Sequence, residues 1–247
     1  MINTVWIKVK YIMNKVVVTG ATSMIGVALI KECIARNVKV YAIVRPESLN
    51  LSRIPDSELI HIVECDLERL MDLENLISED CDVFYHLGWA YTGRGRNDNL
   101  LHQIENIRYT LYAVWVAKAL RCKKFVGAGS QAEFGSVEKG IISPDTPVNP
   151  VQAYGIAKYA AGKFAMLECS KTSMLCVWVR IFSVYGENDK KSSMISQEIQ
   201  KLLNKEETSF TAGEQIWDYL YSSDAGKAMY LVGEKTLESK IYCLGGG

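Results

Sequence analysis

Tyr154-Gly155-Ile156-Ala157-Lys158 sets a phenol and an ammonium four residues apart. On a helix that spacing puts both side chains on one face, a turn apart. An ammonium beside a phenol favours the phenolate. Lys158 is therefore expected to lower the pKa of Tyr154 and make it a proton donor or acceptor near neutrality. Upstream, Ser130-Gln131 follows an apolar run, at a strand end where a hydroxyl helps Tyr154 bind a substrate oxygen. The competing reading of Tyr154 and Lys158 is a chance surface pair.

A second group of residues suits a phosphate. Gly20-Ala21-Thr22-Ser23-Met24-Ile25-Gly26 joins a strand-like run to a helix-like one, with Ser23 in place of the middle glycine. Glycine at such a turn lets backbone N–H groups reach a pyrophosphate at the positive end of the helix, where the Ser23 hydroxyl also donates. The second strand ends at Val44-Arg45-Pro46, where an acidic residue would hold the ribose of NAD. A guanidinium there either suits a 2′-phosphate through bidentate contacts or is a solvated loop arginine. Asp66, ahead of Leu67, either accepts from an adenine amino group or caps the turn that follows.

These residues need a frame that brings strand ends together. Apolar, β-branched runs at 15–19, 38–44, 59–65, 82–87, 124–128 and 175–182 read as strands. Residues 24–36, 97–120 and 151–170 carry helical periodicity. Near-continuous apolar strands suit a sheet covered on both faces, and alternation with helices predicts a Rossmann-type, doubly wound parallel α/β fold. After residue 186 the expected order is a helix at 192–204, two short strands, a helix at 223–234 and a last strand at 240–244. The organisation read here is an N-terminal extension at 1–12, a dinucleotide-binding domain at 13–186 and a small mixed C-terminal portion at 187–247.

The chain has 247 residues, 28 basic and 28 acidic, with 49% hydrophobic and 23% charged side chains. Such a chain builds one substantial core without disulfides or metals. Balanced charge gives no case for nucleic acid or an anionic membrane as partner, and no apolar run approaches the ~20 residues of a membrane span. The seven cysteines form no CxxC and no zinc-spaced cluster, so no metal is expected and the thiols read as reduced and buried. Lys8, Lys10 and Lys15 interrupt any secretory apolar core, and the protein is read as cytoplasmic.

Taken together and in order, the motifs from residue 15 to 247 resemble the extended short-chain dehydrogenase/reductases, the nucleotide-sugar epimerase/dehydratase/reductase group. The matching pieces begin with the T-G-A-x-x-x-I-G turn, His86-Leu87-Gly88-Trp89-Ala90 (like H-L-A-A) and Asn106. Ser130-Gln131-Ala132-Glu133-Phe134-Gly135 is similar to S-S-x-V-Y-G, and Tyr154 and Lys158 follow. Residues 180–186 (RIFSVYG) are like R-x-x-N-V-Y-G, 217–224 (WDYLYSSD) like R-D-Y-I-H-V-x-D, and 242–246 (YCLGG) like Y-N-L-G-S. The resemblance implies NAD(P) held by Gly20, Thr22, Ser23, Met24, Ile25, Gly26, Arg45, Asp66, Leu67, Leu87, Gly88, Trp89, Asn106, Ile181 and Ser183. It implies Tyr154 as catalytic acid/base, Lys158 on the nicotinamide ribose, and Ser130 polarising the substrate. Trp89, Tyr91, Gln131 and Ser183 are expected beside the substrate.

Departures from the pattern narrow the chemistry. The sugar 4,6-dehydratases follow the position of Ser130 with Asp and Glu, whereas this chain has Gln131 and Ala132. Glu133 comes one residue later and is expected to point away, which disfavours dehydration. Arg45 favours NADP(H) over NAD(H). The leading reading is reduction of a 4-keto deoxysugar nucleotide, with Tyr154 as general acid. The alternatives are an NAD-dependent nucleotide-sugar 4-epimerase and a non-catalytic NADP-binding sensor or scaffold. Trp217 replaces an arginine that often holds the diphosphate; it reads as core packing or as a stacking face for a base, with packing preferred. Arg94, Arg96, Lys190 and Lys191 are the substitutes for that contact or solvated charges. Relatives continue past the last strand, so an end at Gly247 is read as a truncation. The long helices at 97–120 and 151–170 form a homodimer interface in many relatives, with Tyr109, Leu111, Trp115 and Phe164 as candidate apolar surface or sheet-facing core.

Overall fold

A computed structural model describes residues 12–93, 95–137 and 140–247. Most of the expected N-terminal extension, and Arg94, lie outside the described residues. Seven strands form one parallel sheet in the order β3-β2-β1-β4-β5-β6-β9. They are β1 (Lys15–Thr19), β2 (Lys39–Val44), β3 (Ile60–Glu64), β4 (Val83–His86), β5 (Lys124–Ser130), β6 (Leu175–Ile181) and β9 (Lys240–Leu244). Their pairing is continuous in register, from Val40 beside Ile60 at one edge to Val179 beside Tyr242 at the other. The central strands β1, β4 and β5 are almost wholly buried, which is why their middle positions are apolar, with polar residues only at their ends. The edge strand β3 has no fully buried residue and leaves Ile62 half exposed.

Helices α1 (Met24–Ala35) and α6 (Ser222–Lys235) cover one face, where Leu29, Ile30, Met229 and Tyr230 pack on Val16, Val18, Val40 and Tyr85. Helices α3 (Leu100–Ala119) and α4 (Ala153–Cys169), with the short α2 (Leu73–Leu76), cover the other around Phe84 and Phe125. Two elements from beyond residue 186, α6 and β9, thus return to the main sheet. Between them and β6 lie β7 (Ser183–Tyr185), α5 (Met194–Leu203) and β8 (Tyr219–Tyr221). One strand, rather than the expected two, follows α5 before α6: β8 pairs in parallel with β7, which begins two residues after β6 ends.

Trp178 on β6 shapes the centre. It is 1% exposed, and a methyl at Gly129 or Gly162 would press on its ring. Glycine in the K-F-V-G-A-G-S strand is therefore room for an indole. Among the described residues no helix is long and apolar enough to cross a membrane. No group of three or more His, Cys, Asp or Glu among them is placed to hold a metal ion.

Candidate active site

In a parallel sheet all C-terminal strand ends lie along one edge. The strand order reverses between β1 and β4, and in open α/β sheets it is at such a switch point that ligands bind, in the crevice outside the strand ends. Gly20 turns there with φ +67°, and a methyl on it would meet Gly88 N and the Leu87 carbonyl carbon at 2.8 Å. Gly26 is equally closed, against the Gly20 carbonyl oxygen. Ser23 is the N-cap of α1, its Oγ accepting from Gly26 N at 3.1 Å. That leaves its proton for an anion at the helix end, beside Met24 and Ile25 in the first turn. A tight turn with no room for a Cβ at Gly20 or Gly26, ending on the N-terminus of a 12-residue helix, fits a dinucleotide pyrophosphate.

Around this cradle, Arg45 follows β2 with an exposed side chain that has no acidic partner among the described residues. Asp66 sits at an N-cap position, yet makes no side-chain cap bond, so the capping alternative is not realised. Leu67 packs against Gly88, where a methyl would approach its Cδ2 to 2.9 Å. Arg53, which no sequence motif marks, donates to the carbonyls of Thr22 at 3.4 Å and Asn188 at 3.3 Å. It ties the glycine turn to the loop after β7.

The end of β4 is fixed from below. Gly88 N donates to Thr19 Oγ1 at 3.1 Å, and Thr19 Oγ1 lies 2.9 Å from His86 Nδ1. The Thr110 hydroxyl gives its proton to the Asn106 carbonyl at 2.8 Å and so accepts from His86 Nε2 at 3.4 Å, which puts the imidazole proton on Nε2 and leaves Nδ1 to accept from Thr19 Oγ1. Burial and the charge of Lys158 push the His86 pKa down to about 3, leaving it neutral. Asn106 is buried and turned inward: Oδ1 accepts from Ala90 N at 2.7 Å, and Nδ2 donates to the Ala90 and His102 carbonyls at 3.0 Å. Its side chain braces the loop carrying Leu87, Gly88 and Trp89.

Tyr154, Ser130, Lys158 and Trp89 meet at the crevice. Asn97, another residue the motifs did not mark, holds the start of α4 by accepting from Tyr154 N at 3.1 Å. Lys158 is buried, donates to the Ala128 carbonyl at 2.6 Å and lies 3.6 Å from the centre of the Trp89 ring. The Trp89 and Tyr154 rings meet edge to face at 6.0 Å. Contrary to the sequence expectation, the Tyr154 pKa is raised. Burial dominates, Glu133 adds to it, and the opposing groups are the Ser130 hydroxyl and the Arg96 guanidinium rather than Lys158. The Lys158 ammonium, 5.9 Å from the Tyr154 ring centre, is itself pushed down to about 7 by burial, against the favourable Glu133 charge.

Glu133 is held away from the crevice. Its Oε1 accepts from Ser130 N and Trp178 Nε1, and its Oε2 accepts from Arg180 Nε, each at 2.9 Å. Ser130 Oγ completes a reciprocal cap by accepting from Ala132 N. Gln131 is half-buried beside it. On the outer side, Arg96 lies 4.4 Å over the Tyr154 ring, and with Lys190 and Ser193 it lines a cleft of about 540 Å³. Lys190 donates to the Thr92 carbonyl at 3.0 Å, and Lys191 is exposed. Tyr91 is exposed, with φ +57°, and stacks on His102. Ile181 ends β6, and Ser183 Oγ accepts from Trp217 Nε1 at 2.6 Å. Trp217 is 56% exposed, so the preferred reading of it as core packing is corrected: its indole closes over Ser183 at the surface.

Residues 16–245 match the model of the NAD dependent epimerase/dehydratase family. The chain is 28% identical to the Bacillus subtilis (strain 168) protein named "Uncharacterized UDP-glucose epimerase YtcB", over 94% of this chain and 77% of that one. It is 26% identical to the CDP-abequose synthase of Salmonella muenchen, over 87% of this chain and 68% of that one. Among solved structures, the UDP-N-acetylglucosamine 4-epimerase from Methanobrevibacter ruminantium M1 in complex with UDP-N-acetylmuramic acid superposes with a TM-score of 0.84. It shares 24% identity, over 94% of this chain and 76% of that one.

Proposed function

From the premise that this chain belongs to the NAD dependent epimerase/dehydratase family and is an NAD(P)-dependent enzyme of the nucleotide-sugar group, we propose that it reduces a 4-keto deoxysugar nucleotide with NADPH. The observation that carries this reading is a Tyr154 phenol beside Trp89 and under Arg96 whose pKa burial raises above its ordinary 10, so that it is a protonated donor at neutral pH, with the Ser130 hydroxyl near enough to oppose that rise. Such a phenol serves as an acid, the role that reduction asks of it. The other nearby carboxyl, Glu133, is engaged by Trp178, Arg180 and the Ser130 backbone, so no second proton carrier stands ready for elimination.

NADPH bound on the glycine turn supplies a hydride. Gly20, Ser23 and the first turn of α1 hold its pyrophosphate, Arg45 its 2′-phosphate, Asp66 its adenine, and Lys158 its nicotinamide ribose. Ser130 and Tyr154 hydrogen-bond the substrate carbonyl oxygen, and Tyr154 gives it a proton as negative charge develops there. Trp89, Tyr91, Gln131 and Ser183 shape the sugar side, and the cleft with Arg96 and Lys190 takes the diphosphate. The protein works as a homodimer through α3 and α4.

Loss of reduced-nicotinamide absorbance, with NADPH and then NADH, against a panel of 4-keto-6-deoxy nucleotide sugars tests this. Consumption of NADPH with one member is the expected result. Arg45→Asp should then shift preference toward NADH, and an unchanged preference would remove the 2′-phosphate role. The second reading is a 4-epimerase, favoured by the name of the Bacillus relative. It predicts a purified protein carrying bound NAD and no net consumption of either cofactor.

A further inference from the structure

Lys158 is buried, and its ammonium has one hydrogen-bond acceptor among the described residues, the Ala128 carbonyl. A buried ammonium needs more than one partner. Its next neighbour is the face of Trp89, 3.6 Å from Nζ to the ring centre. The indole face is the strongest of the aromatic partners for a cation, and the attraction grows where water is excluded.

Trp89 is itself held on several sides. Its Nε1 donates to Gln103 Oε1 at 2.9 Å, and Gln103, 1% exposed, donates through Nε2 to the Tyr91 carbonyl at 3.3 Å. Its ring meets that of Tyr154 at an interplanar angle of 81°. The other groups facing Lys158 do not replace it. His86 is neutral, Glu133 is paired with Arg180, and Arg96 lies over the Tyr154 ring.

We propose that Trp89 is a positioning residue: its indole face holds the Lys158 ammonium while its ring packs against Tyr154, setting the two groups relative to each other. The inference deepens the proposed reaction and rests on it for the ribose contact of Lys158, but the aromatic–ammonium contact itself is testable without cofactor or substrate.

Three variants separate the possibilities: Trp89→Phe, Trp89→Leu and Lys158→Met. In ligand-free protein, the Trp89 fluorescence is the difference between the parent and Trp89→Phe. It should change as the ammonium loses its proton, and the change should vanish in Lys158→Met. A Trp89 signal indifferent to Lys158→Met overturns the proposal. With cofactor, NADPH affinity should fall as pH rises and the ammonium is lost. Trp89→Leu stays apolar but removes the π face, so that fall should move to lower pH by about one unit, a tenfold change in proton affinity. Trp89→Phe should move it less. Identical profiles for Phe and Leu would make Trp89 mere packing. If the parent binds neither NADPH nor NADH, the proposed reaction falls, and the fluorescence titration still decides the role of Trp89.

Discussion

Burial drives Tyr154 and Lys158 in opposite directions, because it disfavours whichever form is charged. The phenol stays protonated at neutral pH, and the ammonium is poised near its pKa. Tyr154→Phe should lower turnover by about 10²–10⁴-fold, the worth of a positioned acid, with NADPH affinity nearly unchanged. A large loss of affinity would make Tyr154 structural instead. Lys158 also leaves a mark on stability. Its folded pKa, about 7, lies below the ordinary 10.5, so between those values the unfolded chain binds more protons and stability rises with pH. The cost of the buried charge is fully present below pH 7. Denaturation midpoints from pH 7 to about 8.5, below the ordinary thiol range, should climb in the parent and climb less in Lys158→Met. Equal slopes would show that Lys158 does not titrate there.

The turn after β5 is set by a contact no local pattern reveals. Glu133 reaches 47 residues along the chain to Arg180, and both side chains are at most 4% exposed. Glu133→Gln would leave Arg180 buried without its counter-charge, at a cost of about 3–5 kcal/mol, read as a lower melting temperature. Residual turnover below the melt is expected, since Glu133 faces away from the crevice. Full stability with abolished turnover would instead make it a proton carrier. The regular elements were legible: apolar runs and helical periodicity match the main strands and helices to within one to three residues. The pairing of β7 with β8 was not, because three-residue strands carry too little pattern to stand out. Nor were Asn97 and Arg53, whose work is done by backbone carbonyls and amides brought close only in three dimensions. Trp217 misled because its size suggests burial, whereas its N–H is held by Ser183 at the surface.

At the scale of the molecule, the proposed homodimer would have to form through the outer sides of α3 and α4. The helices pack on each other over one sheet face, and Trp115 Nε1 donates to Glu168 across them at 3.2 Å. Tyr109 is turned into the core and cannot supply an outer surface, while Leu111 is half-buried. The exposed large apolar side chains are Leu100, Leu101, Ile104 and Trp115 on α3, and Ile156, Phe164 and Leu167 on α4. Apart from the adjacent Leu100 and Leu101, their spacing is close to whole numbers of helical turns, so each helix presents a stripe rather than scattered residues. Contiguous apolar stripes of this kind mark contact surfaces in soluble proteins. Sedimentation should therefore give a dimer for the parent. Phe164→Glu, which puts a charge in the middle of the α4 stripe while touching no part of the crevice, should give a monomer that keeps its melting temperature when dilution has already dissociated the parent. A monomeric parent, or a Phe164→Glu protein that is still dimeric, would place the interface elsewhere and leave these stripes as ordinary surface.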